Sequence, residues 1–160
     1  MSKEIIELEK ILNQEIEAYS KLEEYIIGKK QHLIKGDMEK IIVVDKELEK
    51  YNQVVEKLEE KRKQIYPDNS TLKDIIERIE NKEQANKISK LRDKIKNLLS
   101  NIQKQNIINI ELLKHSLKII ENSIVLIANT LVPEGCAYNK KGAIKTEKRL
   151  SDLSSVEHEV

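Results

Sequence analysis

The chain has 160 residues, of which 36% are charged, and a formal net charge of +1. It contains four glycines, two prolines and five tyrosines but neither Phe nor Trp, so it lacks the turn residues that a β-sandwich or a series of βαβ units requires. The near-zero net charge argues against a strongly basic nucleic-acid-binding protein. This composition is typical of an all-α protein with long helices and an aliphatic core.

The first 65 residues predict two long helices, over about 3–34 and 37–65. Gly36 offers a left-handed helix stop and Asp37 an N-cap. Because two residues leave no room for a crossover, the second helix must run antiparallel to the first. Apolar residues recur with heptad spacing in both helices, as in a coiled coil: Ile5, Leu12, Tyr19, Ile26 and Leu33, then Ile41, Val44, Leu48, Tyr51, Val55, Leu58 and Ile65.

Charged residues interrupt these heptad patterns at a few positions. A second seam of the first helix alternates between apolar and charged residues, in the order Leu8, Glu15, Leu22 and Lys29. In the second helix the pattern is broken only by Arg62. We therefore expect each helix to have one strong packing face.

Two further helices are predicted, a short one over about 72–81 and a long one over about 87–132. Tyr66-Pro67 ends the second helix, because proline disfavours helical geometry in the residue before it. We expect residues 1–132 to form one elongated antiparallel bundle of three long helices with one short extra helix. Residues 133–160, which follow the last helix, predict a flexible tail.

The apolar positions of the last helix change register partway along it. Heptad spacing from Ile88 to Ile102 continues to Ile110 only through a four-residue stutter at Asn106. We expect Asn106 to fix the register as a polar group in an apolar seam. A regular apolar set then follows, at Ile110, Leu113, Leu117, Ile120, Ile124, Ile127 and Leu131.

The last helix is also longer than its predicted partners. At 1.5 Å per residue it would extend roughly 69 Å, against roughly 48 and 44 Å for the first two. Its C-terminal end would then lack intramolecular cover, which usually marks an interaction site. Two interpretations stay open and are equally weighted: a free docking surface, or a surface covered by the short helix or by a second copy.

The sequence offers no group of residues suited to catalysis, cofactor binding or metal binding, and we expect no enzyme. His32, His115 and His158 are far apart, and none has a His or Cys three or four residues later. The basic run from Lys82 to Lys104 has no aromatic residue near it, so it predicts no nucleic-acid site.

Several features indicate a cytoplasmic protein without membrane insertion. Glu4 and Glu7 lie where a signal peptide would need apolar residues, and Cys136 has no second cysteine to pair with. The most apolar window, 123–132, is about half the length of a membrane-spanning helix.

Two motifs near the C-terminus carry a family resemblance. The last helix contains Asn106-Ile-Ile-Asn109-Ile-Glu-Leu112-Leu113, and Tyr138-Asn-Lys-Lys-Gly142 follows it. Taken together with Leu33-Ile-Lys-Gly36-Asp37 and with Leu58-Glu-Glu-Lys-Arg62, these segments resemble the flagellar export chaperone FlgN family.

The resemblance implies a cytoplasmic chaperone for bacterial flagellum assembly by type III protein export. Its cargo would be the terminal helices of the hook-associated proteins FlgK and FlgL. Combined with the uncovered helix end, it predicts cargo contacts at Leu117, Ile120, Ile124, Ile127 and Leu131. Tyr138 and Gly142 would dock at the export gate. The alternative is a structural coiled-coil protein that homodimerises through the same residues, and a chaperone that forms a weak homodimer is also compatible with the sequence.

Overall fold

The computed structural model describes residues 2–131 of the chain, all of whose regular elements are helices. They are α1 (Lys3–Lys35), α2 (Met38–Ile65), α3 (Leu72–Arg78) and α4 (Lys82–Leu131). The chain divides into two compact units, Met1–Leu112 and Leu113–Val160. The predicted all-α class is confirmed, while the predicted tail at 133–160 lies outside the described residues.

A two-residue turn joins α1 to α2. Gly36 has φ 68°, and the backbone N–H groups of Gly36 and Asp37 donate to the carbonyl oxygens of Leu33 and His32, at 3.3 and 3.0 Å. The Asp37 carboxylate then accepts the N–H of Lys40 at 3.3 Å. The predicted helix stop and N-cap are both confirmed.

Side-chain contacts show that α1 and α2 run in opposite directions. The Lys29 ammonium lies 2.6 Å from the Asp45 carboxylate, whereas Arg62, near the other end of α2, contacts Glu15. The Tyr19 hydroxyl donates to Glu59 at 3.3 Å between these two pairs. Residues nearer the C-terminus of α1 therefore contact residues nearer the N-terminus of α2.

The end of the short helix and the start of α4 differ from the predicted bounds, while the short helix begins at Leu72 as predicted. At the start of α3, the Thr71 hydroxyl accepts the Asp74 N–H at 3.2 Å while the Asp74 carboxylate accepts the Thr71 N–H at 2.8 Å. The helix ends at Arg78, three residues before the predicted end. The Asn81 side-chain oxygen accepts the N–H groups of Glu83 and Gln84 at 3.0 and 3.2 Å. This cap starts α4 at Lys82, five residues earlier than the apolar pattern alone predicted.

The core of the unit Met1–Leu112 draws on all four helices. Leu8, Leu12 and Ile88 have exposed fractions of 1% or less, and Ile75 of the short α3 packs into the same cluster. Other buried members are Ala18, Tyr19, Leu22, Val55 and Ile95. Ile75 is the one buried residue of α3, and it packs into this core, so α3 is held within this unit.

Candidate functional site

The N-terminal part of α4 presents one continuous row of residues to the core, which we call the inner seam. Its members alternate by three and four residues without interruption: Ile88, Leu91, Ile95, Leu98, Ile102, Gln105 and Asn109. Ile88, Ile95 and Asn109 are buried, and the other four are half-buried. The heptad register of the inner seam therefore holds through Asn109, without the predicted stutter.

Asn109 is the buried amide of the inner seam, rather than the predicted Asn106. Asn109 is 4% exposed, and its Nδ2 donates to the backbone carbonyl of Ile26 in α1 at 3.0 Å. Asn106 is exposed. Asn106 and Asn109 are three residues apart, so their side chains point about 60° apart around α4. The inner seam continues through Asn109, and the apolar set that begins at Ile110 lies to one side of it.

A polar layer therefore lies where α4 passes the C-terminal half of α1. The side-chain oxygens of Gln105 and Asn109 are buried and find no hydrogen-bond partner among the described residues. A second contact, between the Lys87 ammonium and the Glu9 carboxylate at 2.7 Å, joins α4 to α1 nearer their N-termini. Because Lys87 meets Glu9 and Asn109 meets Ile26, α1 and α4 run in the same direction.

The predicted motif residues next to this layer are arranged on different sides of α4. Leu112 is half-buried, whereas the side chain of Leu113 is 39% exposed. Ile110 is half exposed. The Asn-x-x-Asn-x-x-Leu-Leu motif therefore combines one buried contact to α1, at Asn109, with residues that face solvent.

The described part of the second unit is the end of α4, from Leu113 to Leu131. The five residues predicted to contact cargo lie on one face of this segment, at alternating steps of three and four, and we call them the apolar stripe. Their exposed fractions lie between 45% and 75%. The apolar stripe consists of Leu117, Ile120, Ile124, Ile127 and Leu131.

Two further apolar side chains beside the stripe were not among the predicted contact residues. Ile119 and Leu126 are 52% and 69% exposed. They are seven residues apart, so they form a row of their own along the helix, which we call the flanking row. Their heptad spacing was visible in the sequence, but a sequence pattern cannot tell a solvent-facing row from a buried one.

Hydroxyl groups lie between the stripe and the flanking row. The Ser123 hydroxyl donates to the carbonyl of Ile119 at 2.8 Å, and the Thr130 hydroxyl donates to the carbonyl of Leu126. Both groups bond to the preceding turn of their own helix, so neither needs a polar partner. The face that contains both apolar rows can therefore be covered by an apolar surface without leaving a buried hydroxyl unpaired.

The predicted docking residues Tyr138 and Gly142 lie outside the described residues. Within residues 2–131 no three His, Cys, Asp or Glu side chains are placed to hold a metal ion. Over the same range, none of the helices is both long and apolar enough to cross a lipid bilayer.

Comparison with known families decides the assignment. The family model described as FlgN protein matches residues 1–146. The chain belongs to the FlgN family. No curated protein and no solved structure matches the chain. The predicted resemblance to the FlgN family is thus confirmed over residues 1–146.

Membership of the FlgN family supports a general role as a flagellar export chaperone, with export substrates as partners. FlgN proteins form a chaperone family rather than an enzyme family. Among the described residues, the feature that such a role would use is an exposed apolar face.

Proposed function

We propose that this protein is a cytoplasmic chaperone that binds helical termini of the hook-associated proteins FlgK and FlgL and delivers them to the flagellar export gate. The observation that carries the proposal is the apolar stripe, whose five Leu and Ile side chains face solvent on one side of α4. Exposed apolar patches of this kind usually mark protein-binding sites. The spacing of the stripe fits an amphipathic helix laid along it.

The stripe suits a reversible complex. Complete burial of one Leu or Ile side chain is worth about 1.5–3 kcal/mol, and these residues are already roughly half covered. Covering all five would contribute about 4–8 kcal/mol, from which the entropy cost of association is subtracted. A carrier that must release its cargo needs binding of this moderate strength.

The proposal includes the bundle predicted from the sequence. In it, α1, α2 and α4 form an antiparallel three-helix bundle around the core of the first unit. The contacts of α1 with α2, and those of Lys87 with Glu9 and Asn109 with Ile26, support this arrangement. The bundle would hold α4 by its inner seam and leave the apolar stripe to the cargo.

Delivery is assigned to the segment after α4. Tyr138 and Gly142 would contact the export gate, an assignment that rests on the family resemblance of the Tyr-x-x-x-Gly motif. A tyrosine suits such a contact because it combines a large apolar ring with a polar hydroxyl.

Two aspartates introduced into the stripe test cargo binding. Ile120→Asp combined with Ile127→Asp should abolish co-purification of the hook-associated proteins, because binding would bury two unpaired charges. Circular dichroism should show nearly unchanged helix content. Asn122→Asp with Asn129→Asp is the matched control, since these exposed residues have the same seven-residue spacing, lie about 160° around α4 from Ile120 and Ile127 and gain the same two charges, so binding should be preserved. Loss of helix content in the stripe variant would show that the stripe is a structural core instead.

A homodimeric coiled-coil scaffold is the second candidate. It is favoured by the absence of charged residues from Asn122 to Leu131, because two copies could then meet without like-charge repulsion. Mass measurement across a dilution series separates the candidates. A dimer that persists at nanomolar concentration supports the scaffold, whereas a monomer or weak dimer supports the chaperone.

A further inference from the structure

We propose that the end of α4 accepts two cargo helices side by side, one on the apolar stripe and one on the flanking row. This inference rests on the proposed function and specifies the partner of the same surface. The occupant would be a pair of helices, or a helical hairpin, with uncharged apolar faces.

The width of the exposed apolar face is the first argument. Ile124, at one edge of the stripe, and Leu126, in the flanking row, are two residues apart, which separates them by about 160° around the helix axis. Ser123 and Ile127 lie within this arc. A single coiled-coil partner needs only a narrow pair of rows, so an apolar arc this wide has room for a second neighbour.

The direction of the two rows is the second argument. The centres of the stripe and of the flanking row point about 130° apart around α4, so a helix lying over the stripe does not also cover the flanking row. In a helical bundle, each helix packs against two neighbours that lie in clearly different directions around its axis. The end of α4 is thus shaped to be one member of a bundle whose neighbouring helices come from the partner.

The absence of charge indicates the chemistry of the partner. The ten residues from Asn122 to Leu131 include no Lys, Arg, Asp or Glu. A charged side chain facing them would lose hydration without gaining an opposite charge. The hydroxyls of Ser123 and Thr130 already bond to their own helix. The complementary surface is therefore apolar and uncharged.

A second copy of this chain fits the surface less well. In a symmetric dimer, each α4 would receive one helix from its partner. That helix would cover one pair of rows and leave the other exposed. Two helices from one cargo molecule cover both.

The first test uses binding of the full-length chain to purified full-length FlgK. Ile119→Lys with Leu126→Lys, and separately Leu117→Lys with Ile124→Lys, should each weaken binding by about tenfold or more. Glu111→Lys with Lys118→Glu is the control on the far side of α4 and should leave affinity within about twofold. If the Leu117/Ile124 variant loses binding and the Ile119/Leu126 variant does not, the two-helix inference fails while the proposed function stands. If the wild-type chain does not bind, the proposed function fails with it.

Photo-crosslinking then identifies which cargo segment meets each row. A photoreactive amino acid at Ile124 and another at Leu126, in separate preparations, should capture two different helices of the same cargo molecule. Capture of the same helix from both positions would overturn the inference.

Hydrogen exchange of the free full-length chain tests the competing occupants. The inference requires rapid exchange over residues 122–131. Slow exchange that depends on protein concentration would assign the face to a second copy. Slow exchange independent of concentration would assign it to the residues that follow α4. Either result overturns the inference.

Discussion

The carboxylate of Glu15 in α1 lies 3.2 Å from the guanidinium of Arg62 in α2. These residues are two of the polar interruptions in otherwise apolar heptad patterns, and they are 47 positions apart. Glu15 is 1% exposed, and its second carboxylate oxygen has no hydrogen-bond partner among the described residues. The pair thus combines a buried charge with a single stabilising contact.

Removing Arg62 should be strongly destabilising. Arg62→Met leaves the Glu15 carboxylate buried without its counter-charge, and should lower the free energy of unfolding by about 3–5 kcal/mol near neutral pH. Urea unfolding followed by circular dichroism measures the loss. Lys61→Met, a neighbouring exposed position, should change stability by less than about 0.5 kcal/mol.

The double variant Glu15→Leu with Arg62→Met should recover the stability lost by Arg62→Met. An apolar pair of similar volume avoids the cost of removing two charges from water, so its stability should lie within about 1 kcal/mol of the wild type or above it. A double variant as unstable as Arg62→Met would show that the buried charge is not the source of the loss.

Stability should depend on pH through Glu15. Burial raises the pKa of Glu15 above its ordinary value of 4.5; Arg62 opposes this shift and Glu59 adds to it. Because the native state then binds the proton more tightly than the unfolded state, the stabilisation is complete below the unfolded pKa and is lost as pH rises through the raised pKa.

The Arg62→Met variant should show this effect most clearly, since the opposing cation is gone. Its unfolding free energy should increase as pH falls from about 8 to about 5, by more than that of the wild type. Asp68 and Asp74 have lowered pKa values, that of Asp68 about 2, so they titrate below this window. Glu15→Gln with Arg62→Met removes the titrating group, and the same pH response in that variant would exclude Glu15 as its source.

Replacing the buried amide of the inner seam should stabilise the first unit. Asn109→Leu removes a side-chain oxygen that is buried without a partner among the described residues, and should raise the free energy of unfolding by about 1 kcal/mol. Asn106→Leu, one turn earlier and exposed, should change it by less than about 0.5 kcal/mol. Urea unfolding compares the two, and a clear loss of stability in Asn109→Leu would mean that its bond to Ile26 outweighs the unpaired oxygen.

Two glycines of the α1 region should respond in opposite directions to alanine. Gly36 has φ 68°, which L-residues rarely adopt, so Gly36→Ala should cost about 1 kcal/mol. Gly28 lies inside α1, and a Cβ added there would meet no atom within 4 Å. Gly28→Ala should therefore stabilise by about 0.5–1 kcal/mol. Thermal unfolding of the two single variants provides the comparison, and equal effects would contradict the assigned turn.

Cargo binding and delivery should separate at Tyr138. Tyr138→Ala should keep co-purification of the hook-associated proteins but reduce their appearance outside the cell, because the proposed gate contact loses its aromatic ring. Tyr138→Phe should retain most export. Loss of both cargo binding and export in Tyr138→Ala would refute the assignment of separate sites.

Sequence patterns alone determined the local features of this protein. Heptad spacing predicted the long helices, and Gly36 with Asp37 predicted the antiparallel turn, because these preferences act over a few residues. The start of α4 was placed less well, since Asn81 is a single capping residue outside the apolar pattern. The motifs also indicated the FlgN family, which does not depend on three-dimensional contacts.

Tertiary structure decided which polar residues are buried and which apolar residues are free. Glu15 and Arg62 are both visible as interruptions in the sequence, but only the register of α1 against α2 brings them together. In α4, the apolar positions suggested a seam through Asn106, whereas packing on α1 buries Asn109 instead. A heptad pattern marks residues that share a helix face, and the contact with a neighbouring helix determines which of those faces becomes the core.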